Sequence, residues 1–256
     1  MPPETPVLWH LEVSHYNEKV RWALDYKRVP HVRRAVTPAL QELRARRLRA
    51  GRTVPILQVN GRAIGDSAKI IEEIERRWPD PPLYPSDPQE RRRALELEEY
   101  FDESCGHDVR RVLFNDNLAE PEKFLGMLYG PDHPRLGLLK ALSPVLASVV
   151  KWRYEIQPDR VAHSREVVRA ALHKVEAEAG PSGYLVGDSF TVADLTAASL
   201  LAPIVVPPEF PYIKLPPDER ATQSREFRAS LKDQFGFKWV EDMYARRRGM
   251  SAEVAA

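Results

Sequence analysis

The sequence is poor in residues that would commit it to several functional classes. Of its 256 residues one is cysteine, Cys105. A lone thiol excludes an internal disulfide framework, a paired-cysteine redox centre and Cys-rich zinc sites. It agrees with a reducing cytoplasm, the expected location. Neither charge sign is in excess, with 38 Lys and Arg against 37 Asp and Glu. A nucleic-acid binder carries a strong basic surplus, so no nucleic-acid partner is expected. Long hydrophobic runs are missing too. The most apolar stretch, residues 136–152, is interrupted by Lys140, Ser143 and Pro144 and is too short and polar to span a bilayer. It reads as a buried helix or packed loop, with no membrane partner. The proline-rich start, residues 1–6, lacks the basic-then-apolar order of a signal peptide, so no export is expected. The seven histidines show no metal-ligand spacing, and no metal is expected. Internal repeats are absent.

What is present suffices for two modest domains, each with a core of its own. Residues 7–11 and 54–59 read as strands, the second ending at the turn Asn60-Gly61. Between them Tyr16, Val20, Ala23, Leu24 and Lys27 recur at helical spacing, and a second helical segment over residues 38–50 closes at Gly51. After a short run at 62–64, Ile70, Ile71 and Ile74 form the apolar face of a helix stopped by Pro79. The first 80 or so residues thus form one mixed α/β unit, with domain bounds 1–82. Five prolines in residues 79–88 mark a linker. Domain 88–256 then reads as all-helical. Asp87-Pro88 with Glu90 is a helix start. Ala94, Leu97, Phe101, Cys105, Val109 and Val112 trace one buried stripe, and Val161, Val168, Leu172, Val175 and Ala179 trace another, ended by Gly180. Residues 202–218 read as an ordered loop and 251–256 as a frayed tail.

Three features carry chemistry. In Thr53-Val54-Pro55 a proline opens a strand-like run. Proline cannot donate to a sheet ladder, and a cis bond there turns the preceding backbone outward, so that Val54 presents N–H and C=O to an extended peptide. An ordinary edge-strand proline gives the same pattern. Asp66-Ser67 sits at the mouth of the Ile70 helix, where unpaired N–H groups suit a ligand carboxylate and Asp66 suits a ligand ammonium. Simple helix capping is the competing reading. Ser14, at the start of the Tyr16 helix, offers a hydroxyl to a bound thiolate beside the positive helix end, and the same serine is a plain N-cap candidate.

In this order and at these separations the three resemble the glutathione transferase superfamily. The resemblance implies a thioredoxin-like N-terminal domain followed by a helical C-terminal domain, in a fold class of α/β plus all-α. It implies Ser14 as the catalytic residue of a serine-type member, because Ser14 lies seven residues before Arg21, where serine- and cysteine-type classes place theirs. The position of the tyrosine-type residue falls at His10. It implies Thr53, Val54, Pro55, Asp66 and Ser67 as the glutathione-binding set, with glutathione or a related small thiol as co-substrate. An electrophilic small molecule is the partner, and the protein is a homodimer. Thr191 with Asp194 is a capping box, with Phe190 and Leu195 placed as a hydrophobic staple, which resembles the folding motif of the family's helical domain. Residues 238–244 resemble its late helix. Residues 113–158 align with no class. Alternatives on the same fold are a thiol-dependent isomerase, dehalogenase or peroxidase, or a scaffold without catalysis.

Other features are weaker. Arg44, Arg46, Arg47, Arg49 and Arg52 help give residues 1–85 a net charge of +5 against −4 for the rest, which favours a small anionic ligand on the first domain. Cys105 reads as a packed structural thiol. Tyr100, Ser104, His107, Arg111, Trp152 and Tyr154 are candidates for the wall of an electrophile pocket.

Overall fold

A computed structural model describes residues 4–38 and 40–255 of the chain. β1 (Val7–His10) leads into α1 (His15–Tyr26), then β2 (Val32–Ala35), α2 (Gln41–Leu48), β3 (Ile56–Val59), β4 (Arg62–Gly65) and α3 (Ser67–Arg77). The strands form one sheet in the order β2-β1-β3-β4, with β1 parallel to β2 and antiparallel to β3. Alternate residues of a strand face opposite sides. Leu8 and Leu57 therefore enter the core with Val20, Leu24, Ile70 and Ile74, whereas Trp9 and Ile56 pack with Ala45 and Ala50 on the α2 side. Arg44 of α2 stacks on Trp9 with its guanidinium 4.0 Å from the ring centroid.

The helical half follows a proline-rich connection. α4 (Pro88–Glu99), capped by the Asp87 carboxylate, runs through a π-helical stretch (Tyr100–Cys105) into α5 (Gly106–Leu118). The single stripe expected over residues 94–112 is buried throughout, but the helix is not uniform. At the junction sits Gly106, where a Cβ would lie 2.3 Å from the Tyr16 hydroxyl, so a larger residue there would displace the Tyr16 side chain of α1. Cys105 is fully buried and its thiol is pushed up to about 12 by burial, which makes it structural. α6 (Pro121–Tyr129), α7 (Leu136–Ala141), α8 (Ser143–Arg153) and α9 (Pro158–Glu178) come next. They are followed by α10 (Val192–Val205), α11 (Thr222–Ala229) and α12 (Phe235–Arg247). α10 begins at the expected capping box: Asp194 accepts from the Thr191 N–H at 2.8 Å, and the Thr191 hydroxyl accepts from Ala193 N at 3.3 Å.

Five expectations need correction. β2 was not foreseen because its sequence, VRRA, lacks apolar alternation; it is an edge strand that exposes Arg34 and Ala35. The second helix starts at Gln41 rather than Pro38, and Ala39 lies outside the described residues. Residues 136–152 are helical but not buried: Val145 is 64% and Trp152 80% exposed, and only an inner edge with Leu146 and Val150 packs on the fold. α10 continues past Ala202 to Val205 despite Pro203, because Arg220 Nη1 donates to Pro203 O at 2.9 Å and Arg228 Nε to Val205 O at 2.8 Å, satisfying its last carbonyls. The tail is pinned, not frayed, as far as Val254. His31 N and Val254 N bond to Ala252 O and His31 O at 3.4 and 2.9 Å, and Ala252 N donates to Asp25 at 2.8 Å. Ala256 lies outside the described residues.

The two halves are joined through the polar side of α1, which is buried. Lys19, with no solvent exposure, reaches across to Glu98 at 2.8 Å and Asp102 at 2.6 Å. Glu18 and Asp25 hold Arg248, the residue after α12, at 2.5 and 2.9 Å. Removing one member of a buried ion cluster strands the others in a low-dielectric setting. Lys19→Met is expected to lower stability by about 3–5 kcal/mol. The triple variant Lys19→Met, Glu98→Gln, Asp102→Asn is expected to recover most of that loss, both read from urea unfolding midpoints. An unmoved midpoint in the single variant would refute the role given to Lys19.

Candidate functional site

A cavity of about 630 Å³ opens between the sheet unit and the helical half. Ser14, Thr53, Val54, Pro55, Asp66 and Ser67 all line it, so three segments distant in sequence meet on one wall. The Val54-Pro55 bond is cis. Asn17 ties two of the segments together: its Oδ1 accepts from Leu11 N at 3.1 Å and its Nδ2 donates to Val54 O at 3.4 Å. Among the described residues the Val54 N–H has no acceptor.

Ser14 is the N-cap residue of α1, with extended backbone angles, yet its side chain makes no capping bond. Its hydroxyl and the first-turn N–H groups of α1 are therefore left for a ligand. The spacing between Ser14 and Arg21 has a structural cause. Arg21 is buried and its guanidinium donates to Leu11 O, Glu12 O and Ser14 O at 3.3, 3.0 and 3.4 Å, strapping the loop before α1. Glu18 holds the same guanidinium at 2.8 Å. Its Nη1 also lies 2.9 Å from His10 Nδ1. Burial, and then Arg21, lower the His10 pKa to about 3, so this ring accepts from Arg21 in its neutral form.

Asp66 takes a positive φ of 74° and its Oδ1 accepts from Ala68 N and Lys69 N at 3.1 and 3.2 Å. It does cap α3, and its other oxygen stays available. The capping and ligand-facing readings of this residue are compatible.

The opposite wall comes from α5, α6, α8 and the segment after α10. Of the six wall candidates, His107 and Tyr154 line the cavity. Tyr100 packs on the core, Ser104 is exposed, and Trp152 points to solvent. Arg111 is engaged by Asp108 and by Ser164 Oγ, the latter at 2.8 Å. Sequence reasoning missed Asp102, Arg110 and Phe114. The signal was there for two of them: residues 107, 110 and 114 follow helical spacing on the face of α5 beside the buried stripe.

The start of α1 is also fixed to this wall. His15 Nε2 lies 3.0 Å from Gly106 O, and the Tyr16 hydroxyl donates to Asp102 O at 2.9 Å. Burial raises the Tyr16 pKa. Burial, followed by the charge of Arg110, lowers the His15 pKa to about 3, so the ring donates from Nε2 as a neutral imidazole. Among the described residues no group of three His, Cys, Asp or Glu side chains is placed to hold a metal ion, and no helix is long and apolar enough to cross a membrane.

A small mixed sheet with a cis-proline turn, faced by a helical domain across a cavity, defines a thioredoxin-like, glutathione-transferase-type protein. Family models agree. Residues 8–82 match Glutathione S-transferase, N-terminal domain, and residues 158–226 match Glutathione S-transferase, C-terminal domain. The chain belongs to the glutathione S-transferase superfamily.

Individual similarities are modest. A probable maleylacetoacetate isomerase of Caenorhabditis elegans is 33% identical over 96 residues, 37% of this chain and 45% of that protein, so the match spans under half of the relative's length. FtsZ-localized protein A of Caulobacter vibrioides is 26% identical over 201 residues, 77% of this chain and 76% of that one. A crystal structure of a glutathione S-transferase from Methylobacterium radiotolerans, in complex with glutathione sulfonate, superposes with a TM-score of 0.56 at 20% identity, covering 92% of this chain and 93% of that one.

The buried histidines give the fold a pH dependence. Unfolded rings take up protons below about 6.5, while native His10 and His15 do so only near 3. Their contribution is complete above pH 6.5 and is lost as pH falls toward 3, by up to about 1.4 kcal/mol per pH unit for each ring. His15→Gln keeps a donor for Gly106 O and is expected to remove one ring's share of that slope between pH 6 and 4. Urea unfolding across this range measures it, and parallel slopes for variant and wild type would contradict the assignment.

Proposed function

We propose that this protein binds glutathione, or a closely related small thiol, on the sheet-side wall and activates its sulfur for attack on an electrophilic small molecule in the rest of the cavity. Residues 1–82 form the thiol-binding domain and 88–256 the domain that holds the acceptor. One observation carries the reading. Ser14, the cis Val54-Pro55 turn and Asp66-Ser67 come from three separate segments yet line one cavity.

Each group keeps hydrogen-bonding capacity that the protein does not use, including the second lone pair of the Val54 carbonyl beside its bond from Asn17. The Val54 N–H and C=O pair with the ligand's cysteinyl backbone as an added strand. Asp66 receives the γ-glutamyl ammonium, and Ser67 with the first turn of α3 receives the α-carboxylate. The Ser14 hydroxyl donates to the sulfur at the positive end of α1, which favours the thiolate and lets the thiol proton leave to water. His15 takes no part as a base, because its Nε2 is committed to Gly106 O. Family membership supports a homodimer as its assembly, and the cytoplasm suits a reduced thiol ligand.

A second reading is favoured by the long match to FtsZ-localized protein A: a binding or scaffold protein that keeps the thiol site without useful catalysis. The two separate in one experiment. Under the first reading, glutathione binds in calorimetry, and conjugation by Ser14→Ala falls by about 10²-fold in kcat/KM, the usual cost of one donor aimed at developing charge. Glutathione affinity itself changes little. Binding without turnover in the wild type would select the scaffold reading. Full activity in Ser14→Ala would remove Ser14 from its role.

A further inference from the structure

The helical wall of the cavity carries charge that thiol binding leaves unused. Arg110 of α5 lines the cavity beside His107 and Phe114. Its guanidinium lies 4.7 Å from the Tyr154 ring centroid, and its Nη2 is 2.8 Å from His107 Nδ1. Its Nε is buried without any hydrogen-bond partner. Among the described residues it makes no ion pair, in contrast to the buried Lys19, Arg21 and Arg248, each held by a carboxylate. Arg220 repeats the pattern on the same cavity: it is buried, bonds only to carbonyls of Pro203 and Leu215, and has its pKa pulled down to about 10 by burial and by Arg228.

The acids of the lining do not offset these charges. Asp66 caps α3, Asp102 binds Lys19 through Oδ2, Glu42 pairs with Arg153 at 3.2 Å, Glu103 is exposed, and none of the four forms an ion pair with Arg110 or Arg220. His107 is turned toward its neutral form by burial, and then by Arg110, so it accepts from the guanidinium without balancing it. Arg110 is half-buried with its Nε shut off from water, so it lacks both full hydration and a counter-charge, and its planar fork matches a carboxylate through two parallel hydrogen bonds. Around it the wall is apolar, with Phe114, Phe124, Leu128 and Val150.

We infer that the acceptor side of the cavity takes an amphipathic acid, with its carboxylate on Arg110 and its apolar body against the phenylalanines of α5 and α6. This deepens the thiol-transfer reading and rests on it. Arg110 is the specificity-determining residue, and Arg220 adds a second positive charge to the same chamber.

The test uses the full chain and two probes of equal shape, phenylbutyrate and its amide phenylbutyramide, with glutathione titrated in parallel by calorimetry. The wild type is expected to bind the acid about tenfold or more tightly than the amide, the usual weight of a charge-assisted pair. In Arg110→Met the preference is expected to collapse to about twofold or less, with partial recovery in Arg110→Lys and glutathione affinity unchanged within about twofold. Because Arg110 has no acidic partner, the Met variant is expected to melt at or above the wild-type temperature; a lower melting point would overturn its unpaired state. Equal binding of acid and amide, binding of neither at millimolar concentration, or a preference that survives Arg110→Met would overturn the assignment. Weakened glutathione with an intact acid preference would assign Arg110 to the thiol's own carboxylate instead. Acid preference without any glutathione binding would sink the thiol reading alone.

Discussion

The structure depends on the burial of charge along α1. Lys19, Glu18, Arg21 and Asp25 lie on a helix whose apolar side, through Val20, Ala23 and Leu24, packs into the core beside the sheet, and whose polar side meets the helical half. Three of these charges find opposite partners from other parts of the chain: Lys19 meets Glu98 and Asp102 from the α4–α5 region, Asp25 meets Arg33 of β2, and Glu18 and Asp25 both meet Arg248 from beyond α12, whereas Arg21 pairs with Glu18 on the same helix. Buried ions tolerate little error in position, because a slipped partner leaves an uncompensated charge in a poorly polarisable interior. The two halves are therefore set in one relative placement, to within hydrogen-bond distances.

That placement makes the cavity. The loop carrying Ser14 is strapped by Arg21, itself neutralised by Glu18, and the first residues of α1 bond to the carbonyls of Asp102 and Gly106. The sheet-side wall and the helical wall are thus referenced to the same helix. A thiol held at the start of α1 lies at a defined distance from whatever α5 and α6 hold, and this is the geometric demand of a reaction between two bound molecules. The buried cations used for assembly, Lys19, Arg21 and Arg248, are each held by a carboxylate, whereas Arg110 and Arg220, which line the cavity, make no ion pair among the described residues.

Much of the sheet-side wall is legible in the sequence, for reasons tied to backbone chemistry. Proline at the head of a strand, an acid with a hydroxyl at a helix mouth and a serine before the first helical turn are local signals with local causes. The capping box at Thr191 and Asp194 is of the same kind. The elements that went unread were those whose cause is remote. β2 has two arginines in four residues and exists because β1 offers it a parallel edge. The tail is ordered because Asp25 and His31 receive it. Residues 136–152 have the composition of a core segment, and only the three-dimensional arrangement leaves Val145 and Trp152 in water.

By itself the sequence determined the two-domain order, most elements of the sheet unit apart from β2, the turn and cap chemistry and the family, because these follow from periodicity and from residues whose backbone preferences act within a few positions. Only the tertiary structure decided which charges are paired and which are free. Arg21 and Arg110 read alike on the page, as arginines one or two turns inside a helix. The first is neutralised by Glu18 and bound to three carbonyls, and the second faces a cavity and forms no ion pair among the described residues. Pairing depends on distance through space and on exclusion of water, and neither is written in the spacing of residues along a chain.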